Sequence, residues 1–168
     1  MIASVFVLAA LAGVPSDLPA GWHPLSAVAL EEDWRDESPV RFDRLVADFD
    51  GDGREDLAIL LRSARHEALW VRLGGDTDAE VWQKLAELPL PGGVIDQRSN
   101  MGLARVEPGV MAYGCFDGSR ECDIATDAQR PKLVLTSPAI DFFRMGSSAS
   151  VFFWSNSRKK FLRVWTSD

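Results

Sequence analysis

Residues 48–56 read Asp48-Phe49-Asp50-Gly51-Asp52-Gly53-Arg54-Glu55-Asp56, with aspartates at positions 1, 3, 5 and 9 of the stretch. Four like charges this close repel one another unless a cation lies among them. Residues 40–47 lead into this loop, and residues 57–63 leave it as an apolar run, Leu57-Ala58-Ile59-Leu60-Leu61. The chain around the loop is therefore expected to be strand, charged loop, strand. That unit commits the N-terminal half to a β architecture.

The remainder of the chain agrees with this reading. It breaks into apolar runs of about five to eight residues bounded by Gly, Pro, Asn, Asp or Ser, the pattern of an all-β domain. Strands are expected at 67–73, 101–106, 110–115, 132–136, 139–145, 148–154 and 160–165. Glu107-Pro108-Gly109 reads as a turn, and residues 155–159 as a hairpin connection. In the last strand Phe161, Arg163 and Trp165 alternate with Leu162 and Val164, so both of its faces carry apolar groups, as in a strand packed on two sides. One short helix is expected at 79–88. Glu31-Glu32-Asp33 and Asp36-Glu37 flank Trp34 and read as a solvated acidic loop. The fold expected is mainly β, with antiparallel sheets in a propeller-like or sandwich arrangement.

Carboxylate and carbonyl oxygens are hard ligands and favour calcium. An EF-hand uses positions 1, 3, 5, 7 and 9 with Gly at 6. Here Gly53 holds position 6, and the carbonyl of Arg54 serves position 7. The EF-hand's bidentate Glu at position 12 is replaced by Ile59, and the residues that follow are strand-like rather than helical. The expected ligands are thus Asp48, Asp50, Asp52, Arg54 (through its carbonyl) and Asp56. Without the position-12 carboxylate, affinity is expected in the weak range of extracellular modules, roughly 10⁻⁴ M. The bland alternative is an Asp/Gly turn that binds nothing tightly.

Composition narrows the partner. The net charge is −7, which argues against tracking nucleic-acid phosphates and favours a cation or a basic protein. The first residues, Met1 to Gly13, form an apolar run too short to span a bilayer but suited to a secretory signal. Ala10-Leu11-Ala12 fits a cleavage site, so residues 1–12 are expected to leave, with the boundary as late as about residue 20. A single β domain over 21–168 would follow, periplasmic or secreted and not inserted in a membrane. No Lys or Arg precedes the run, and a buried first strand is the alternative. In an exported protein Cys115 and Cys122, which enclose six residues, form a natural disulfide; unrelated thiols are the other reading. His23 and His66 are the only histidines, too few to complete a four-ligand zinc site with the two cysteines.

Asp48, Asp50, Asp52, Gly53, Asp56 and Leu57 resemble the calcium loop of FG-GAP and VCBS-type repeats, where Asp-x-Asp/Asn-x-Asp-Gly-x-x-Asp joins two strands of a propeller blade. A wider resemblance runs through Tyr113-Gly114-Cys115 with Cys122, Ala139-Ile140-Asp141-Phe142-Phe143, residues 147–154 and Val164-Trp165-Thr166-Ser167-Asp168. These segments look like a family of small exported bacterial proteins, some similar to periplasmic lysozyme inhibitors and to immunity proteins against peptidoglycan-cleaving effectors. The resemblance implies a propeller-like β domain with bound calcium.

No H-E-x-x-H, G-x-S-x-G or phosphate-binding glycine loop is present, so catalysis is not expected. The function expected is an exported calcium-binding protein that inhibits, or gives immunity against, a basic peptidoglycan-hydrolysing effector by protein–protein binding. An acidic protein is steered toward such a partner. Loops 114–123 and 146–150 are the candidate contacts, though 146–150 reads first as an ordinary hairpin loop. The alternative function is a calcium-dependent adhesion module binding a glycan or a protein.

Overall fold

A computed structural model of the chain describes residues 13–75, 82–115, 122–124 and 132–167. The proposed signal segment, residues 1–12, lies outside them. The strands are β1 (His23–Pro24), β2 (Arg44–Ala47), β3 (Asp56–Arg62), β4 (His66–Arg72), β5 (Trp82–Pro89), β6 (Met101–Val106), β7 (Gly109–Ala112), β8 (Lys132–Leu135), β9 (Ala139–Arg144), β10 (Ala149–Ser155) and β11 (Lys160–Ser167). Three short 3-10 helices, Val28–Leu30, Asp33–Glu37 and Pro91–Gly93, are the helical segments among the described residues. None of these is long or apolar enough to cross a membrane.

The strands form two main antiparallel sheets. In the first, β3 pairs with β4 and β4 with β5, while β1 and β2 share the other edge of β3. In the second the order is β11-β10-β9-β6, and β7 with β8 makes a separate two-stranded ribbon. Among the described residues no sheet closes into a barrel, and the arrangement is sandwich-like. The mainly β expectation holds, and of its two arrangements the sandwich is the one that describes the molecule.

Side-chain alternation explains the layers. Along β3, Ala58 and Leu60 face the second sheet and meet Leu69, Val71, Leu103, Ile140, Phe142 and Phe152 in one buried cluster. Leu57, Ile59 and Leu61 point the other way and pack with Leu18, Trp22 and Trp70. All seven residues of β3 are buried, so it reads as a continuous apolar run. β11 also faces two ways. Phe161 joins the central layer, while Leu162 and Val164 pack with Val151, Phe153 and Leu135 beneath the ribbon. Each fully buried Leu, Ile or Phe contributes about 2 kcal/mol of transfer free energy.

The backbone between Val40 and Arg44 stitches the sheets together along one side. The Leu60 N–H donates to the Asp43 carbonyl at 2.8 Å, and the Leu103 N–H donates to the Phe42 carbonyl at 2.9 Å. Arg41 and Phe42 hold left-handed φ values of 51° and 55° to make this crossing. Such residues persist only when their surroundings over-determine them. Here Arg35 does so. Its side chain is fully buried, and it donates to the carbonyls of Arg41, Ser99 and Met101 at 2.6, 3.0 and 2.6 Å. The Phe42 ring is held against Trp34 and Phe143, with centroids 5.5 and 5.8 Å away. On the neighbouring strand Gly102 leaves room for Phe143, whose ring lies 2.3 Å from where a Cβ would sit.

Two expectations are corrected. The helix expected at 79–88 is strand β5 from Trp82 onward, while 79–81 lie outside the described residues. A ten-residue helix is marginal on its own, whereas β5 completes the backbone hydrogen bonds of β4 from His66 to Arg72. The acidic stretch around Trp34 is a 3-10 helix, Asp33–Glu37, with exposed carboxylates at Asp33, Asp36 and Glu37, a fourth at Glu31 just before it, and a buried arginine at its centre. Loop 146–150 is the turn and first residues of the β9–β10 hairpin, the ordinary reading of that segment.

Candidate metal centre

The aspartate loop joins β2 to β3, and its two ends are held directly opposite each other by the Ala47–Asp56 pair. The loop is built on the carboxylates themselves. Asp48 Oδ1 accepts from the N–H groups of Gly51 at 2.7 Å and Asp52 at 3.0 Å, and Oδ2 accepts from Gly53 at 2.9 Å. Asp50 Oδ1 accepts from the Asp52 N–H at 3.1 Å, and Asp52 Oδ1 from the Arg54 N–H at 2.8 Å. Aspartate competes well for backbone donors in this way, which favours turns over regular structure. Gly51 and Gly53 take left-handed φ values of 77° and 90°, a region glycine enters without steric penalty.

Asp56 is the hinge between loop and sheet. It is 1% exposed, with Oδ2 accepting from the Phe49 N–H and Oδ1 from the Gly74 N–H, both at 2.7 Å. One carboxylate thus ties the loop to the end of β4 across 18 residues. Phe49 is fully buried, and its ring meets Phe161 of β11 at 6.5 Å, so the loop is anchored in the second sheet as well. Gly51 lies against Ser137, whose Oγ is 2.9 Å from the place of a glycine Cβ.

This scaffold brings one oxygen each of Asp48, Asp50 and Asp56 within 4.8 Å of one another. Burial raises the Asp56 carboxyl to about 6, with Asp50 adding to the rise and the Gly74 and Phe49 N–H groups opposing it. Burial also raises Asp50, helped by the charges of Asp52 and Asp48 and opposed by Lys159. Two of the three carboxylates are therefore in surroundings that disfavour their negative charge, and a bound cation would reverse that. The donor set is oxygen throughout, which suits a hard divalent ion. The triad can hold a metal ion.

Of the expected ligands, the structure unites Asp48, Asp50 and Asp56. Asp52 is exposed and stands outside the triad. Its carboxylate caps the Arg54 N–H instead. Arg54 is exposed at the loop's far end. Cys115 and Cys122 are joined as a disulfide with Cα atoms 5.9 Å apart, inside the usual range. Both pack in the layer beneath the ribbon, and Asp123 holds this segment to β11, donating its N–H to the Arg163 carbonyl at 2.9 Å. Residues 116–121 of the loop lie outside the described residues. His66 faces Glu87 across β4 and β5, with Nδ1 3.3 Å from Oε1, far along the sheet from the triad.

The buried polar networks were not visible in the sequence. Arg62 donates to Glu67 at 2.7 Å and to the carbonyls of Ile95 and Gln97, while Ser99 donates to the other oxygen of Glu67 at 2.6 Å. Arg62 follows an unbroken apolar run, which is the one sequence sign that it is carried inward. Comparison with protein-family models, curated proteins and solved structures finds no match to this chain.

Proposed function

We propose that the chain is an exported calcium-binding protein whose metal loop stiffens a β-sandwich, and that this sandwich acts by binding and blocking a basic peptidoglycan hydrolase. The observation that carries the calcium assignment is the convergence of Asp48, Asp50 and Asp56 to within 4.8 Å. Calcium takes six to eight oxygens in a flexible shell, so three carboxylates leave room for the Arg54 carbonyl, Asp52 and water. Histidine and cysteine, which zinc prefers, take no part in the triad.

The ion's role in this reading is structural. It neutralises the loop, and Phe49 and Asp56 pass that rigidity to both sheets. A rigid scaffold presents a surface to a partner at low entropic cost. The net charge of −7 and the exposed carboxylates of Glu31, Asp33, Asp36 and Glu37 support a basic partner, which such a field steers and accelerates. Placement in the periplasm or outside the cell, and a disulfide that persists there, belong to the same reading. It assigns the chain no catalytic step.

The test is direct. The purified protein is mixed with a lysozyme-like hydrolase, and cell-wall clearing is followed at low and high salt. Inhibition that weakens as salt rises is expected. Undiminished hydrolysis at a tenfold molar excess, with no complex on gel filtration, rules the partner out. Retention on a glycan column without any effect on hydrolysis would favour an adhesion module instead.

A further inference from the structure

Phe42 and Asp43 lace the two sheets together between β2 and β6. At the end of the second sheet where Met101 of β6 pairs with Arg144 of β9, Leu88 of β5 packs against the central core cluster. Two hollows of about 280 and 50 Å³ lie here and share Leu88, Met101 and Arg144 in their walls.

The walls differ in charge from the rest of the protein. Arg62, Arg98, Arg144 and Arg163 line the two hollows, against the carboxylates of Glu32 and Glu67 alone. Arg62 pairs with Glu67 at 2.6 Å, and Arg98 with Glu32 at a long 3.7 Å. Among the described residues Arg144 has no carboxylate partner. Arg163 is held in place, donating to Ser150 Oγ at 3.0 and 2.8 Å, and stacks 4.6 Å from the Trp165 ring centroid. Arg144 stands between the two hollows, opposite Met101 in the sheet. A cationic cleft in a chain of net charge −7 is not explained by the overall composition.

We infer that this cleft binds a small amphiphilic anion. Its oxyanion group, a carboxylate or a phosphate ester, would lie on the guanidiniums of Arg144 and Arg98, and its apolar part against Leu88, Leu90 and Met101. Guanidinium is the side chain best shaped for such oxyanions, because its planar donors meet two oxygens at once. The larger hollow, about 280 Å³, is near the lower end of small-ligand sites, and its walls are mostly polar, with Leu88, Pro89, Leu90 and Met101 as the apolar portion. The site is separate from the aspartate loop, and its occupancy does not depend on calcium.

NMR titration with phenylacetate and phenyl phosphate tests this, with the uncharged phenylethanol as control and EDTA present throughout. Saturable shifts at the amides of Leu88, Asn100, Met101, Arg144 and Ser148 are expected for at least one anion, with phenylethanol silent. The stronger of the two anions identifies the oxyanion preferred. Arg144→Gln changes an exposed side chain and should leave the amide spectrum otherwise intact while weakening binding at least tenfold. Non-saturating shifts, equal response to phenylethanol, or unchanged binding by Arg144→Gln would each overturn the inference.

Discussion

Asp50 and Asp56 bring like carboxylates to one point, but their neighbours give them different work. Asp56 satisfies two backbone donors, the Phe49 and Gly74 N–H groups, in a buried place. Asp56→Ala leaves both without a partner, at about 1–3 kcal/mol each. Asp50 accepts a single N–H in an exposed part of the loop. In EDTA, Asp56→Ala should therefore lower stability by roughly 2–4 kcal/mol and Asp50→Ala by under about 1 kcal/mol, read from urea denaturation. Equal losses would show that the two residues are not divided in this way. Asp141 is a different case. It lies on the ribbon side of β9, and its Oδ1 is buried without a hydrogen-bond partner. Burial alone raises its carboxyl from 3.8 to about 6. The folded state thus holds a proton that the unfolded chain sheds between those values, so stability falls as pH rises from about 4 to about 6. Asp141→Asn removes the charged form. It should stabilise the protein at pH 7 by on the order of 1 kcal/mol and make no difference near pH 4. Thermal melts at the two pH values check this, and a variant less stable than the parent at pH 7 would contradict it.

At the level of elements, the connection after β5 is held by buried charge rather than by apolar contact. Arg62 and Glu67 are 1% and 4% exposed and fix the carbonyls of Ile95 and Gln97 and the hydroxyl of Ser99. Removing one partner strands the other. Glu67→Ala should cost about 3–5 kcal/mol, and Glu67→Gln, which keeps an acceptor for Ser99, should cost less. Chemical denaturation measures both, and a loss under about 1 kcal/mol for Glu67→Ala would show the network to be incidental. The same residues show what a sequence conceals. The strands at 101–106, 139–145, 148–154 and 160–165 were legible because alternation and turn residues are local signals. The aspartate loop was legible because ligand spacing is local too. The inward turn of Arg35 and Arg62 depends on carbonyls brought from Arg41, Ile95, Gln97, Ser99 and Met101, up to 66 residues away. No local pattern records that. The strand character of β5 is hidden for the same reason: its pairing with β4, with a bulge at Leu69 and Trp70, is a tertiary fact.

For the molecule as a whole, the loop at 48–56 is the place where both sheets meet the acidic triad that could hold a cation. Phe49 reaches Phe161 in one sheet, and Asp56 belongs to β3 and binds Gly74 at the end of β4 in the other. A metal bound here stabilises the native state alone, by RT ln(1 + [L]/Kd), about 1.4 kcal/mol at a tenfold excess over Kd. On this account calcium tightens the entire sandwich, while partner binding is served by surfaces elsewhere. The deciding measurement is a calcium titration of thermal unfolding for the parent protein and for Asp50→Ala. The account predicts a saturable rise in Tm for the parent, with a midpoint near 10⁻⁴ M, and no rise for the variant. A parent Tm that ignores calcium, or a variant that responds as the parent does, contradicts it.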